Sequence, residues 1–238
     1  GSVLAGLFFG AHPLRAESVA WATERRDLLS AFFVLLTVLA YLRAQQPVQP
    51  HRTRWMAIAL LMFALSLMSK VIGATLPLIL LILDWYPLRR LDASPLTWMA
   101  TPSRRVLIEK LPFFVLSIVF SVIAVVGQAS NQWLMTTQMH APGARIVQSF
   151  YGLGFYAWKT LVPTNLLPLY QIRLPLDVSA PRYVIAVLVV IAAMIAAIAL
   201  RRRAPWLLAA AAAYAVTLGP VLGIIQNGSQ IVADRYSY

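Results

Sequence analysis

Long apolar runs separated by short charged stretches set the reading of this chain. Residues 3–11 (VLAGLFFGA) lead into His12-Pro13; they are too few to cross a bilayer and read as the end of a truncated helix. Residues 14–27 mix charge with Val19, Ala20 and Trp21, which predicts a short interfacial helix. The run LLSAFFVLLTVLAYL, between Asp27 and Arg43, predicts a span with Tyr41 near one interface, and a Pro-broken basic linker (44–54) follows. Two apolar arms, 55–69 and 71–86, meet at Lys70. A single helix through both would hold a lysine near mid-bilayer, at about 3 kcal/mol. A tight hairpin with Lys70 at its turn avoids that, and Gly73 suits a turn. Asp84-Trp85-Tyr86-Pro87 reads as an aromatic interface belt, loop 88–110 as basic, and 111–128 as another span. A polar loop (129–145), an aromatic and glycine-containing helix (146–163) and a Pro-rich loop (163–181) come next. Two clean spans, 183–200 and 204–225, flank Arg201-Arg202-Arg203. The pattern predicts an all-α polytopic transmembrane bundle of about six full spans, with the truncated first helix and interfacial helices, as one transmembrane domain over 1–238.

Composition agrees. Of 238 residues 60% are hydrophobic and 12% charged, too little polar surface for a water-soluble domain of this length. The absence of cysteine excludes disulfides and thiolate metal sites. His12, His51 and His140 lie far apart without ligand spacing, so no metal site is expected. The net charge of +12 would raise nucleic acid as a partner in a soluble protein. Here the cations sit in short loops between apolar runs, which points to orientation signals and lipid headgroups and away from nucleic acid.

Placing loops 43–54, 84–110 and 201–203 in the cytoplasm puts 11 of the 20 Lys and Arg there. This requires 146–163 to stay at the outer interface. If that segment crosses, the arginine triple moves outside while Arg173, Arg182 and Arg235 move inside. In the first arrangement His12, Glu17, Glu24, Arg25, Arg26, Asp27, Lys70, Lys159, Asp234, Arg235 and Tyr236 share the outer face. Ionisable groups within a turn or two of a span are expensive unless paired or set against a water-filled cavity.

Four groups carry the candidate chemistry, each with a plainer alternative. In HPLRAESVAW followed by ERRD, Pro13 suits a helix start, and Glu17 and Glu24 share a face if one helix runs through both. Arg25 and Arg26 match phosphate oxygens, or are snorkelling arginines of an amphipathic connector. Lys70, after Ser69, suits a lipid-phosphate oxygen or snorkels from a hairpin tip. Tyr156-Ala157-Trp158-Lys159 anchors a helix at the interface or offers faces for a sugar ring. Asp234-Arg235-Tyr236 is an acid-base pair beside a tyrosine, or an ion-paired cap. No triad, phosphate-binding loop or dinucleotide fingerprint is present, and Gly152-Leu153-Gly154 fits close helix packing.

Taken in order, HPLRAESVAWATERRDLLS, SKVIGATLPLILLILDWYPL, EKLPFF, WKTLVPTNLLPLY and ADRYSY resemble the transmembrane and tetratricopeptide-repeat-containing family, over nearly the whole chain. That family includes protein O-mannosyltransferases. The resemblance implies a GT-C type bundle that moves a mannose-like sugar from a polyprenyl-phosphate donor to protein Ser or Thr hydroxyls on the extracytoplasmic face. It implies donor-phosphate roles for Arg25, Arg26, Lys70, Lys159 and Arg235. His12 and Glu17 would support the acceptor side, and Trp21, Tyr156, Asp234 and Tyr236 would contact sugar or acceptor. The family's acidic motif is expected upstream of Gly1 and its repeats downstream of Tyr238, so this stretch alone is expected to be inactive; a divalent metal, if used, belongs to the longer protein. No 34-residue repeat occurs here.

The expected partners are membrane lipids, a lipid-linked sugar and an acceptor protein, in a bacterial inner membrane with a periplasmic active face. A cell-envelope polysaccharide polymerase or ligase is the alternative enzyme reading. A transporter or membrane scaffold is the non-enzymatic one, although neither broken-helix pairs nor an inverted repeat is evident.

Overall fold

A computed structural model describes the chain apart from residues 1, 22–23, 93–96, 100, 131–140, 168, 172–175, 225–229 and 238, with backbone alone at 2, 17, 18, 101, 102, 235 and 237. The described residues are predominantly helical: α1 (Ser2–Ala11), α2 (Ala16–Ala20), α3 (Arg25–Ala44), α4 (Arg52–Ser69), α5 (Leu76–Trp85), α6 (Thr101–Ile108), α7 (Leu111–Ser130), α8 (Pro142–Leu161), α9 (Pro181–Ala199) and α10 (Pro205–Leu218). Helices α8, α9 and α10 each open on a proline, whose missing N–H is unneeded at the first position. Among the described residues the departure from all-α is a short antiparallel pair, β1 (Tyr170–Gln171) with β2 (Gln230–Val232), which pairs Tyr170 with Val232 and Gln171 with Gln230. Strands of two and three residues leave no alternation to read in a sequence.

Among the described residues, three helical stretches are long and apolar enough to cross a membrane: Arg25–Ala44, Ser103–Ser130 and Pro181–Arg202. Val71–Trp85 and Pro205–Val221 are apolar but shorter. The sides of these helices invert the pattern of a soluble protein. On α7 Val115, Ile118, Val122 and Ile123 are exposed while Ser117 is buried, and on α9 Ile185, Leu188, Val189 and Ile195 are exposed. Such continuous apolar surface requires a lipid environment. The chain is therefore an integral membrane protein.

The chain divides into two compact units. The second comprises 26–126 and 200–217. In it α4 and α5 form the expected hairpin: α4 stops at Ser69, Lys70 is extended, and a 3-10 turn over Val71–Thr75 leads into α5. The hairpin packs on α3 through Ser30 and Ser66, whose hydroxyls lie 3.0 Å apart, and the Ser30 hydroxyl donates to the Lys70 carbonyl at 3.2 Å. A Cβ on Gly73 would sit 2.9 Å from Ser66 Oγ, so the turn closes this tightly only on glycine. Tyr41, Phe63, Leu67, Leu76, Leu80 and Phe113 fill the core, with the Phe63 and Phe113 rings 5.7 Å apart.

The first unit comprises 1–25, 127–199 and 218–238, and α8 against α9 is its principal helix pair. The buried face of α8 is Gln148, Ser149, Gly152, Tyr156 and Lys159, while Ile146, Trp158 and Leu161 are exposed. A Cβ on Gly154 would meet Ala186 at 3.5 Å, and one on Gly152 would meet Leu222 Cδ2 at 2.9 Å. Packing thus accounts for both glycines, as their apolar setting suggested.

Candidate functional site

In the first unit, the last turn of α8 draws the candidate residues together. Helices end with carbonyls that have no internal partner. One of these, Thr160 O, accepts from His12 Nε2 at 3.0 Å, while His12 Nδ1 accepts the Leu14 N–H at 3.3 Å. Those contacts select the tautomer with its proton on Nε2. His12 also opens a 3-10 turn over Pro13–Arg15, in which Pro13 takes the first position. Phe8, Ala11, His12, Pro13, Thr160, Leu161 and Pro163 line a mainly apolar groove of about 220 Å³.

One turn back along α8, the Tyr156 hydroxyl donates to Ala233 O at 3.2 Å and accepts from Ala233 N at 3.1 Å. This fixes the backbone just before Asp234. Gln148 Nε2 donates to Ile231 O at 3.2 Å and Ser149 Oγ donates to Leu222 O at 3.1 Å, so the polar face of α8 binds the backbone that precedes ADRYSY. The 3-10 turn Asp234–Ser237 then packs on Pro13–Arg15 and on α2. The HPLRAES and ADRYSY segments, over 200 positions apart in sequence, meet.

Lys159 is buried; its ammonium donates to the carbonyls of Thr164 and, at 3.1 Å, Asn165, between the rings of Phe155 and Tyr170. Asn165 has φ of 50°, a conformation that asparagine tolerates better than most residues. Asp234 Oδ2 accepts the Leu167 N–H at 2.6 Å and faces the Tyr170 hydroxyl at 3.4 Å. Burial pushes the Asp234 carboxyl above the ordinary carboxylate range, against the opposing pull of the Leu167 N–H, the Lys159 charge and the Tyr170 hydroxyl. Burial and the Asp234 charge together push the Tyr170 phenol up to about 12. Tyr236 accepts from Gln230 Nε2 at 3.0 Å, and Trp21 is half exposed.

His12, Tyr156, Lys159, Asp234 and Tyr236 therefore belong to one unit. Glu17 and Arg235 lie outside the residues with described side chains. Glu17 and Glu24 do not share one helix: α2 ends at Ala20, and Glu24 starts a separate turn with its N–H on the Trp21 carbonyl at 3.0 Å. Arg25 and Arg26 are exposed in the first turn of α3, an end that favours anions. Lys70, in the second unit, is ion-paired with Asp27 of that same turn, so a phosphate there would have to compete with a carboxylate. Among the described residues no group of three or more His, Asp or Glu is placed to hold a metal.

Sequence reading overlooked a second polar centre. Asp84, read as part of an aromatic belt, is fully buried in the second unit. Its carboxylate accepts from Tyr41 OH at 2.7 Å and 2.8 Å, from Arg90 Nη1 at 2.9 Å, and from the fully buried Lys110 Nζ at 2.6 Å. Arg90 continues to Glu109 at 2.8 Å, which also receives Arg52 at 2.6 Å. Burial would lower the Arg90 pKa, but the hydrogen bond to Glu109 and the charges of Asp84 and Glu109 outweigh it and raise it. The network ties the ends of α3 and α5 to the starts of α4 and α7. A lone acid beside tryptophan gave no hint that its partners lie 43 and 26 residues away.

Helices with lipid-facing apolar sides and buried polar contacts define an α-helical integral membrane protein. Part of its sequence is similar to protein O-mannosyl-transferase TMTC4 of Homo sapiens, 35% identical over 78 residues, which is 31% of this chain and 10% of that protein. Protein O-mannosyl-transferase TMTC3 of Homo sapiens is 37% identical over 76 residues, covering 31% of this chain and 8% of its own length. TMTC4 of Mus musculus is 34% identical over 79 residues. The aligned stretch is thus about a tenth of the length of these curated relatives. No family model and no solved structure matches the chain.

Proposed function

We propose that this chain is membrane core of a GT-C type glycosyltransferase, a bundle of about six spans that transfers a mannose-like sugar from a polyprenyl-phosphate donor to protein Ser or Thr hydroxyls. The observation that carries the reading is the meeting of the HPLRAES and ADRYSY segments at the end of α8, beside an apolar groove. Such a transfer needs cations for the leaving lipid phosphate, an acidic group near the acceptor and access from the bilayer. The exposed Arg25 and Arg26 are the cations freest to meet a phosphate, with Lys70 and Arg235 as further donors. His12 and Glu17 support the acceptor side, and Trp21, Tyr156, Asp234 and Tyr236 are the contacts to sugar or acceptor. In this account Lys159 holds the 162–170 loop through the Thr164 and Asn165 carbonyls and reaches a phosphate only if those bonds open. The likeness to proteins named O-mannosyl-transferases supports the reaction class.

The active face is extracytoplasmic, in a bacterial inner membrane, and the basic loops 43–54, 84–110 and 201–203 are cytoplasmic. Deleting the gene should leave an acceptor protein without its Ser/Thr-linked sugar, as a mass change in whole-protein spectra. Unchanged acceptor masses together with altered solute uptake would favour a transporter instead.

A further inference from the structure

The end of the second unit closed by the Asp84 network has an uneven charge distribution. Among the described residues, its acids are Asp84, Asp92 and Glu109. Asp84 is fully buried and Glu109 is shared between Arg52 and Arg90, so both are spent inside the protein. Arg43, Arg54, Arg89, Arg104 and Arg105 at the same end are exposed. The level of this end is set by aromatics: Trp55 opens α4 beneath the Arg43 guanidinium, 5.8 Å from its ring centre, and Trp85 and Tyr86 close α5. Amphipathic tryptophan and tyrosine at a helix end sit at headgroup depth. The short helix α6 lies just before the span of α7, burying Ser103 and Val106 while Arg104, Arg105 and Ile108 stay exposed. An exposed apolar side chain beside two arginines fits a helix lying in the interface, with its cations among headgroups.

We propose that this end is a binding surface for anionic phospholipid, with Arg104 and Arg105 of α6 as its main contacts. The internal ion pairs make it selective: by taking up the Asp84 and Glu109 carboxylates they leave exposed Asp92 as the remaining described acid against five exposed arginines, a net positive face towards a phosphate-rich, negatively charged leaflet. The proposal rests on the membrane reading alone and is independent of the transferase reading.

The test measures lipid retention by the intact protein in mixed micelles of phosphatidylglycerol and phosphatidylcholine with matched chains, read by native mass spectrometry. Wild type should retain phosphatidylglycerol preferentially, with the preference shrinking at high salt. The Arg104→Gln/Arg105→Gln variant should lose about fivefold of that preference per arginine. Arg182→Gln, in the other unit, should retain the wild-type preference. Equal retention of both lipids by wild type, or an unchanged preference in the double variant, overturns the proposal. Loss of phosphatidylglycerol preference alongside tight binding of an acidic protein or a nucleic acid also overturns it, in favour of that partner.

Discussion

Replacing Asp84 by Asn separates charge from shape in the buried network. Asn keeps an oxygen for the Tyr41 hydroxyl but no longer neutralises Lys110, whose ammonium is fully buried 2.6 Å from the carboxylate. Breaking a buried ion pair from one side costs about 3–5 kcal/mol, because the remaining charge is left uncompensated in a poorly solvated place. Arg90 retains Glu109, so the whole effect should not exceed that range. Lys110→Met should cost less, since Asp84 keeps Arg90 at 2.9 Å and Tyr41 at 2.7 Å. The double variant Asp84→Asn/Lys110→Met removes the orphaned charge and should be more stable than Asp84→Asn alone. The assay is a double-variant cycle of unfolding free energies in a mild detergent, titrated with a denaturing one. A single-variant cost below about 1 kcal/mol, or strictly additive costs, would refute the account of Asp84 and Lys110 as a coupled pair.

Gly152→Ala should destabilise by about 1–3 kcal/mol, because the new Cβ lies 2.9 Å from Leu222, whereas Gly154→Ala, with 3.5 Å to Ala186, should be neutral or gain up to about 1 kcal/mol of helix propensity; thermal unfolding compares them. Asp234 makes stability depend on pH. Its folded pKa is raised, so its favourable contribution is complete below the unfolded value of about 3.9 and is lost as pH rises through the folded value. The melting temperature of Asp234→Asn relative to wild type should therefore climb from pH 4 to pH 7.5, and a flat difference would contradict the burial argument. Tyr41→Phe removes the hydroxyl that donates to Asp84 and accepts from Lys110 at 2.6 Å, and should cost about 1–3 kcal/mol in the same unfolding assay.

The elements that announce themselves by long apolar runs were legible: α3, α7 and α9 lie within a few residues of their expected bounds, whereas α10 stops at Leu218, short of the full span expected over 204–225. The hairpin at Lys70 was readable too, because a mid-membrane lysine has few alternatives. What stayed hidden depends on distance in sequence. Strands of two and three residues carry no period, and the Asp84 network joins side chains from four separate segments. Glu17 and Glu24 looked like one helical face only because spacing does not reveal that α2 stops at Ala20. For Lys70, the chain order gave the turn but not the partner. Asp27 lies 43 positions earlier, and only the packing of α3 against the hairpin brings it within reach.

The proposed transferase is tested most directly by reconstituting the intact protein in vesicles with a polyprenyl-phosphate mannose donor and a Ser/Thr peptide. Arg26 is exposed, so Arg26→Ala should leave the fold intact and report on the phosphate role alone. The wild-type protein should transfer sugar and Arg26→Ala should fall at least tenfold, about the loss of one electrostatic contact to the departing phosphate. Wild-type activity in both Arg26→Ala and Lys70→Ala, or no transfer by the intact protein, would contradict it.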